Sequence, residues 1–284
     1  IKAVRGFMLI MPIVVLFFQE NGLVMSEVLL LQSIFWLTIT FFEIPSGYFA
    51  DCVGRKQSML VGGIAAVVGL MVYAMAHGFS QIVIAEILLG ISVSFISGAD
   101  SALLYDTLLA LGRSHEFVRR QGQLGAASNF SEAVASVLGG LLALVTLRTP
   151  VIAQAVVFFT IIPLTLALVE PSREKRVANG RLRDMITIVK YSLHDHKEMK
   201  WLILYSGLIS TSTLCMVWGI QPYFTSVGLP LGWYGVVWAI NMVSVGIFSL
   251  TADRVERWLG RKRAFVILLF LAVLGYALVS MTSA

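Results

Sequence analysis

Four carboxylates stand inside stretches that are otherwise apolar: Glu43, Glu86, Asp100 and Glu132. An ionisable side chain in such surroundings is costly, and by default it marks a solute pathway or a proton relay. Arg5 joins them, about one turn inside the first apolar run, if that run ends near Gln19 and is about 20 residues long. Glu86, Gly90, Ser94, Ser97 and Asp100 or Ser101 recur at steps of three and four, which puts them on one helical face. Asn129, Glu132, Ser136, Gly139 and Gly140 repeat the pattern in the next run. A polar stripe on an apolar helix must face protein or water, never lipid. The two stripes predict a cavity wall, with Asp100 and Glu132 at similar depth. A second reading stays open: small residues packing helices tightly, with each acid permanently paired or protonated. For Glu86 both readings stand. For Glu43 the expected arrangement is a structural pair with Arg5. Four acids against one arginine leave the predicted interior acidic, which suits protons and a cationic or zwitterionic solute and suits an anionic one poorly.

The elements that must carry these residues are membrane spans. The chain has 284 residues, 58% hydrophobic and 13% charged. A soluble domain carries about 25% charged residues. That balance excludes a disordered chain, a nucleic-acid module and an ordinary soluble enzyme. Nine apolar runs are long enough to span a bilayer: 1–19, 27–49, 58–77, 79–106, 122–146, 150–169, 200–221, 232–250 and 264–283. The expected fold is an all-α polytopic membrane protein. Of the 21 Lys and Arg residues, only Arg148 falls in a loop of one set; the rest sit at the N-terminus or in the alternate loops. The positive-inside rule then puts the N-terminus in the cytoplasm. Two cysteines, Cys52 and Cys215, give no disulfide framework. The chain opens at Ile1 with no signal-peptide pattern, and its true start is expected upstream.

An internal repeat is visible. Gly47, Asp51, Gly54, Arg55 and Lys56 lie between the second and third runs. Asp253, Gly260, Arg261 and Lys262 lie in the matching place after the eighth, with a longer insert. Between the halves runs a basic stretch, 170–199. Repeats of this kind are common in secondary transporters.

The pattern Gly-x-x-x-Asp-x-x-Gly-Arg-Lys at 47–56 resembles the signature loop of the major facilitator superfamily. The segment 98–106 is similar to that of a bacterial branch of the family. The resemblance implies two six-helix halves that rock around a site near the midplane. It implies a cytoplasmic gate of Gly47, Asp51, Gly54, Arg55, Lys56 and Asp106, in which Asp51, Arg55 and Asp106 latch the halves; Gly47 is expected to let two helix backbones approach closely. A plainer role for Arg55 and Lys56 is to enforce topology. The expected domains are a six-helix half at 1–169, a basic linker at 170–199 with an amphipathic helix on the inner leaflet near 181–197, and the first three helices of a second half at 200–284. The last three helices of that half are expected to be missing. Drug–proton antiporters of the family carry Gly-x-x-x-Gly-Pro-x-x-Gly-Gly on span five. Here Ser131, Ala135, Ser136, Gly139 and Gly140 stand in those places, so the glycine pair matches and the proline is absent.

In the second half, Asn241 is the candidate for the cavity, while Trp218, Tyr223 and Trp233 read as an interfacial belt. His194, Asp195 and His196 have no further ligand nearby, and no metal is expected. No phosphate-binding Gly-x-x-x-x-Gly-Lys-Ser/Thr loop exists, so ATP is not an expected partner. No nucleophile–base set points to an enzyme, and no cofactor is called for. The expected partners are a small-molecule solute, protons and membrane lipids, with no nucleic acid. The expected function is proton-coupled secondary transport in the bacterial inner membrane, with a slight lean to efflux. The alternatives are a proton-independent facilitator or uptake permease, and a lipid-handling or sensor protein on the same fold.

Overall fold

A computed structural model describes residues 1–171 and 197–282. The described residues contain eleven α-helices: α1 (Lys2–Gly6), α2 (Val14–Glu20), α3 (Met25–Cys52), α4 (Arg55–Met75), α5 (Phe79–Ala110), α6 (Phe117–Ala143), α7 (Arg148–Phe159), α8 (Ile161–Leu166), α9 (Lys197–Ser226), α10 (Leu231–Leu259) and α11 (Arg261–Thr282). Short 3-10 turns cover Met11–Ile13 and Ser114–Glu116. No strand occurs among the described residues. The amphipathic helix expected at 181–197 and the trio His194, Asp195 and His196 lie essentially outside the described residues.

Among the described residues, eight stretches are long and apolar enough to cross a membrane: Lys2–Glu20, Met25–Cys52, Arg55–Met75, Phe79–Ala110, Arg148–Leu166, Glu198–Ser226, Leu231–Thr251 and Arg263–Met281. The ninth run expected from sequence, 122–146, is helical as α6 but too polar to qualify on composition. Its polar and small residues are what pack against neighbouring helices. Ala133, Ala135, Ser136, Gly139 and Gly140 are all buried.

The first span corrects the expectation of one continuous helix over 1–19. It breaks between Gly6 and Val14. Pro12 supplies the cause. Its ring clashes with the carbonyl four residues back and it has no N–H to donate.

The contacts group the chain into two units: Ile1–Arg176 with Leu229–Leu250, and Val177–Gly228 with Thr251–Ala284. In the first unit α5 packs centrally against α3 and α4, and α4 packs on α7 and α8. Without a hydrophobic drive between helices in lipid, small residues let backbones approach. A Cβ on Gly69 would press on Leu88 and Leu89 at 3.2 Å, and one on Gly90 would meet Thr38 at 2.9 Å. Phe17, Phe18 and Tyr73 form an aromatic knot with ring centroids 5.9–6.1 Å apart. Phe17 and Phe18 are fully buried. Such pairs contribute about 0.5–1.5 kcal/mol each beyond area burial. In the second unit two tyrosines clip α9 to α11. Tyr205 donates to the carbonyl of Phe265 and Tyr276 to that of Ser212, both at 2.6 Å.

Candidate functional site

The signature loop is a tight corner. α3 ends at Cys52 and α4 starts at Arg55, with Gly54 between them at φ +147°. That backbone favours glycine. A Cβ there would also run into the Gln57 side chain and, at 3.1 Å, Glu170 Oε2. Glu170 closes the corner: its carboxylate accepts from the backbone N–H of Arg55 at 2.9 Å and of Lys56 at 3.1 Å. A carboxylate at a helix N-terminus satisfies donors the helix cannot pair itself. Lys56 Nζ in turn donates to the carbonyls of Leu166 and Leu168 at 2.6 and 2.8 Å. Arg55 Nε reaches Asp106 Oδ2 at 3.0 Å. Glu170 was absent from the sequence reading. Its position just after the sixth run gave no periodic signal, although it is the first acid of the polar stretch.

Beside this corner α3 and α5 leave a cavity of about 400 Å³, lined by Glu43, Ser46, Gly47, Asp51, Arg55 and Ser97 among others. The close helix approach expected at Gly47 is not found: a Cβ added there would meet nothing within 4 Å, because Gly47 faces the open cavity. Glu43 is exposed on α3. The Arg5–Glu43 pair expected from sequence does not form. Arg5 Nη1 instead meets Asp100 Oδ2 at 3.3 Å, and Lys2 Nζ lies 3.9 Å from the same oxygen. The reason is rotational: the face of α5 that holds Asp100, and not α3, is turned to the short helix α1. Ser101 Oγ donates to Asp100 Oδ1 at 3.1 Å, and Gln121 Nε2 donates to Ser101 Oγ at 3.0 Å.

The other acids meet neutral donors. Glu86 is 4% exposed, and its Oε1 accepts from Tyr73 Oη at 2.5 Å and Gln32 Nε2 at 3.1 Å. Glu132 Oε1 accepts from Trp238 Nε1 at 3.0 Å. Trp238 is itself buried. Tyr73, Gln32 and Trp238 are not legible as partners in the sequence, because nothing in a single helix's periodicity says which neighbour it faces. The stripe on α5 splits. Gly90 belongs to helix packing. Ser94 serves both, its Oγ donating to the carbonyls of Gly90 and Ile39 and its own carbonyl accepting from Ser46 Oγ, and it lines the cavity together with Ser97. The stripe on α6 is mostly packing. A Cβ on Gly139 would collide with the carbonyl of Leu9, and one on Gly140 would meet Gly235. Asn129 is half-buried and Asn241 is exposed on α10.

Outside the spans, Glu116 accepts from Arg113 Nε at 2.6 Å and Arg120 Nε at 3.1 Å. Hydrogen bonding to Arg113 is the main cause that pulls its carboxyl down to about 2. In the second copy of the signature, Gly260 takes φ +76° between α10 and α11, the place Gly54 holds in the first. The side chains of Asp253, Arg261 and Lys262 lie outside the described residues. Among the described residues no group of three or more metal-ligating side chains occurs.

Eight membrane-length apolar helices and an all-α fold define an integral, polytopic membrane protein. The family model of the Major Facilitator Superfamily matches residues 4–284, and the chain belongs to that superfamily. It is 23% identical over 211 residues to the quinolone resistance protein NorA of Staphylococcus aureus strain MRSA252, across 74% of this chain and 53% of NorA. NorA of strain N315 matches to the same extent. The chain thus spans about half the length of the curated relatives it matches. The nucleoside transporter NupG, as its D323A mutant, shares the fold with a TM-score of 0.75 at 13% identity, over 91% of this chain and 68% of NupG.

Proposed function

We propose that this chain is part of a secondary active transporter, not an enzyme, that moves a small solute by alternating access without ATP. The observation that carries the reading is the signature corner: Arg55 paired with Asp106 at 3.0 Å beside an acid-lined cavity of about 400 Å³, in a chain matched by the family from residue 4 to 284. Asp51, Arg55 and Asp106, with Gly47, Gly54 and Lys56, serve as the gate. Glu43, Glu86, Asp100, Glu132, Asn129, Asn241 and Arg5 form the solute and proton pathway. The halves are 1–169 and 200–284 with the linker 170–199 between them. The N-terminus is cytoplasmic and the membrane is the bacterial plasma membrane, whose lipids the linker contacts. A solute carrying a cationic amine suits the acids, and a quinolone, which carries an amine and a carboxylate, is the first to try. Export coupled to protons is the favoured direction.

A second reading is a proton-independent facilitator. The Asp100 ion pairs favour it, because Arg5 and Lys2 already engage that carboxylate in a structural cluster. The test uses full-length protein in proteoliposomes under an imposed pH gradient, with a fluoroquinolone and an organic cation as solutes. Uptake into acidic vesicles, abolished by a protonophore and by Arg55→Glu, supports the first reading. Transport indifferent to the gradient supports the facilitator. Wild-type transport by Arg55→Glu removes the gate.

A further inference from the structure

We infer that the first span is a hinged element and that Gln154 is the positioning residue that pins its hinge. The run Lys2–Glu20 is apolar enough to cross a membrane, yet its helix is interrupted from Phe7 to Ile13 by an unwound stretch and the 3-10 turn Met11–Ile13. Phe7, the cap of α1, has ψ +73°, and Ile13 has φ −131°. Irregular backbone at membrane depth is tolerated where it lines water or is enclosed by protein. Here it is enclosed: Leu9, Ile10 and Ile13 are 3%, 6% and 0% exposed. That burial separates a hinge from a solute site.

A buried break needs partners for the backbone groups it frees. One side chain supplies two of them. Gln154 on α7, 1% exposed, accepts from the N–H of Leu9 through Oε1 and donates through Nε2 to the carbonyl of Phe7 at 2.9 Å. Gly139 on α6 lies flat against the Leu9 carbonyl, where any Cβ would collide. The two pieces on either side of the break hold different neighbours. α1 carries Lys2 and Arg5 to Asp100, and the Ala3 carbonyl accepts from Ser131 of α6 at 2.8 Å. α2 carries Phe17 and Phe18 into the knot with Tyr73 of α4. A tilt of α1 about residues 7–13 therefore moves Arg5 against Asp100 and leaves the aromatic knot in place. Gln154 fixes the pivot about which that tilt occurs.

The hinge stands without the transport reading; only its effect on turnover rests on that reading. The experiment is amide hydrogen exchange of full-length protein in lipid nanodiscs, on wild type, Gln154→Leu and Gln154→Glu. Gln154→Leu removes both hydrogen bonds and is expected to speed exchange of the 7–13 segment about ten- to thirtyfold, the scale of two lost net hydrogen bonds. Segments within α4 and α5 are expected to stay at wild-type rates. Gln154→Glu keeps the acceptor for Leu9 but, ionised, has no donor for Phe7 and buries a charge, so it is expected to speed exchange of 7–13 as well. Unchanged exchange at 7–13 in Gln154→Leu, or an equal rise throughout the first unit, overturns the proposal. Should Gln154→Leu fail to fold, the wild type decides: equal protection of 7–13 and 14–20 overturns the hinge. In proteoliposomes, Gln154→Leu is expected to lower the maximal transport rate with little change in half-saturating solute. If the wild type moves no solute at all, the transport reading fails and the exchange result still decides the hinge.

Discussion

Glu86 and Asp100 stand on the same helix, four turns apart, and the fold treats them oppositely. Asp100 is neutralised by charge: Arg5 at 3.3 Å and Lys2 at 3.9 Å. Glu86 is more deeply buried and meets only neutral donors, Tyr73 and Gln32. Removing the Asp100 carboxylate strands two cations, whereas removing that of Glu86 strands only neutral donors. Depth alone does not say what a buried acid is worth to the fold. The charge of the neighbours does.

The comparison can be broken most sharply at Asp100. Asp100→Ala leaves Arg5 and Lys2 without their carboxylate. Removing one member of a buried pair costs about 3–5 kcal/mol, and the partial exposure here brings that to roughly 2–3 kcal/mol. Thermal unfolding in detergent, run as a double-mutant cycle with Arg5→Ala, is expected to return most of the loss in the double variant. Strict additivity would mean that the two side chains do not act as a pair.

The next effect is at Glu86. Tyr73→Phe removes one donor from a buried carboxylate and is expected to destabilise by about 1–3 kcal/mol. Glu86→Gln keeps an acceptor for the Tyr73 hydroxyl and is expected to cost less than about 1 kcal/mol. A larger loss from Glu86→Gln than from Asp100→Ala would reverse the contrast. If Glu86 carries a proton in transport, Glu86→Gln should also flatten the pH dependence of the transport rate, whereas Asp100→Asn should lower the rate at every pH.

The smallest effect is expected at Glu116, an ion-paired acid that faces water. Its carboxyl sits at about 2 in the fold, below its ordinary value of 4.5, because of Arg113 and then Arg120. A depressed carboxylate contributes stability above its unfolded value and loses it as pH falls toward the folded one. Glu116→Gln should therefore differ from wild type only above about pH 2–4.5, and then slightly, because exposed ion pairs are screened. Denaturation midpoints at pH 7 and pH 3 check this, and a large difference at pH 7 would show that exposure does not discount the pair.

Much of the fold was legible in the sequence. Apolar runs of membrane length stand out against loops rich in Lys and Arg, and the corner at 47–56 declares itself by residue type. The break in the first span was missed although Pro12 sits in mid-run, because the run's hydropathy masked it. The site was legible only in part. Helical spacing ranks residues by face within one helix, and it says nothing of how that face is turned toward the others. Arg5 was therefore assigned to Glu43 when α5, not α3, presents its acid to α1. The same gap hid Trp238 behind Glu132 and Gln154 behind Leu9. α6 failed the composition rule for the opposite reason: its apolar appearance is diluted by the small and polar residues that let other helices lie against it.

α4 has both ends held by the same neighbours. At its start Glu170 takes the N–H groups of Arg55 and Lys56. At its end Arg148 donates to the carbonyls of Ala74 and Ala76 at 2.8 and 2.6 Å and to Asn21 at 2.8 Å. Arg148 opens the α7–α8 span and Glu170 follows it. The third and sixth spans are thus tied at both ends, and sliding or turning one along the other breaks these bonds. Mechanically they are one strut. A force applied to either is delivered at once to both faces of the membrane, without slack, so a pulling tip drawing on the sixth span should strip the third from the bilayer in the same step.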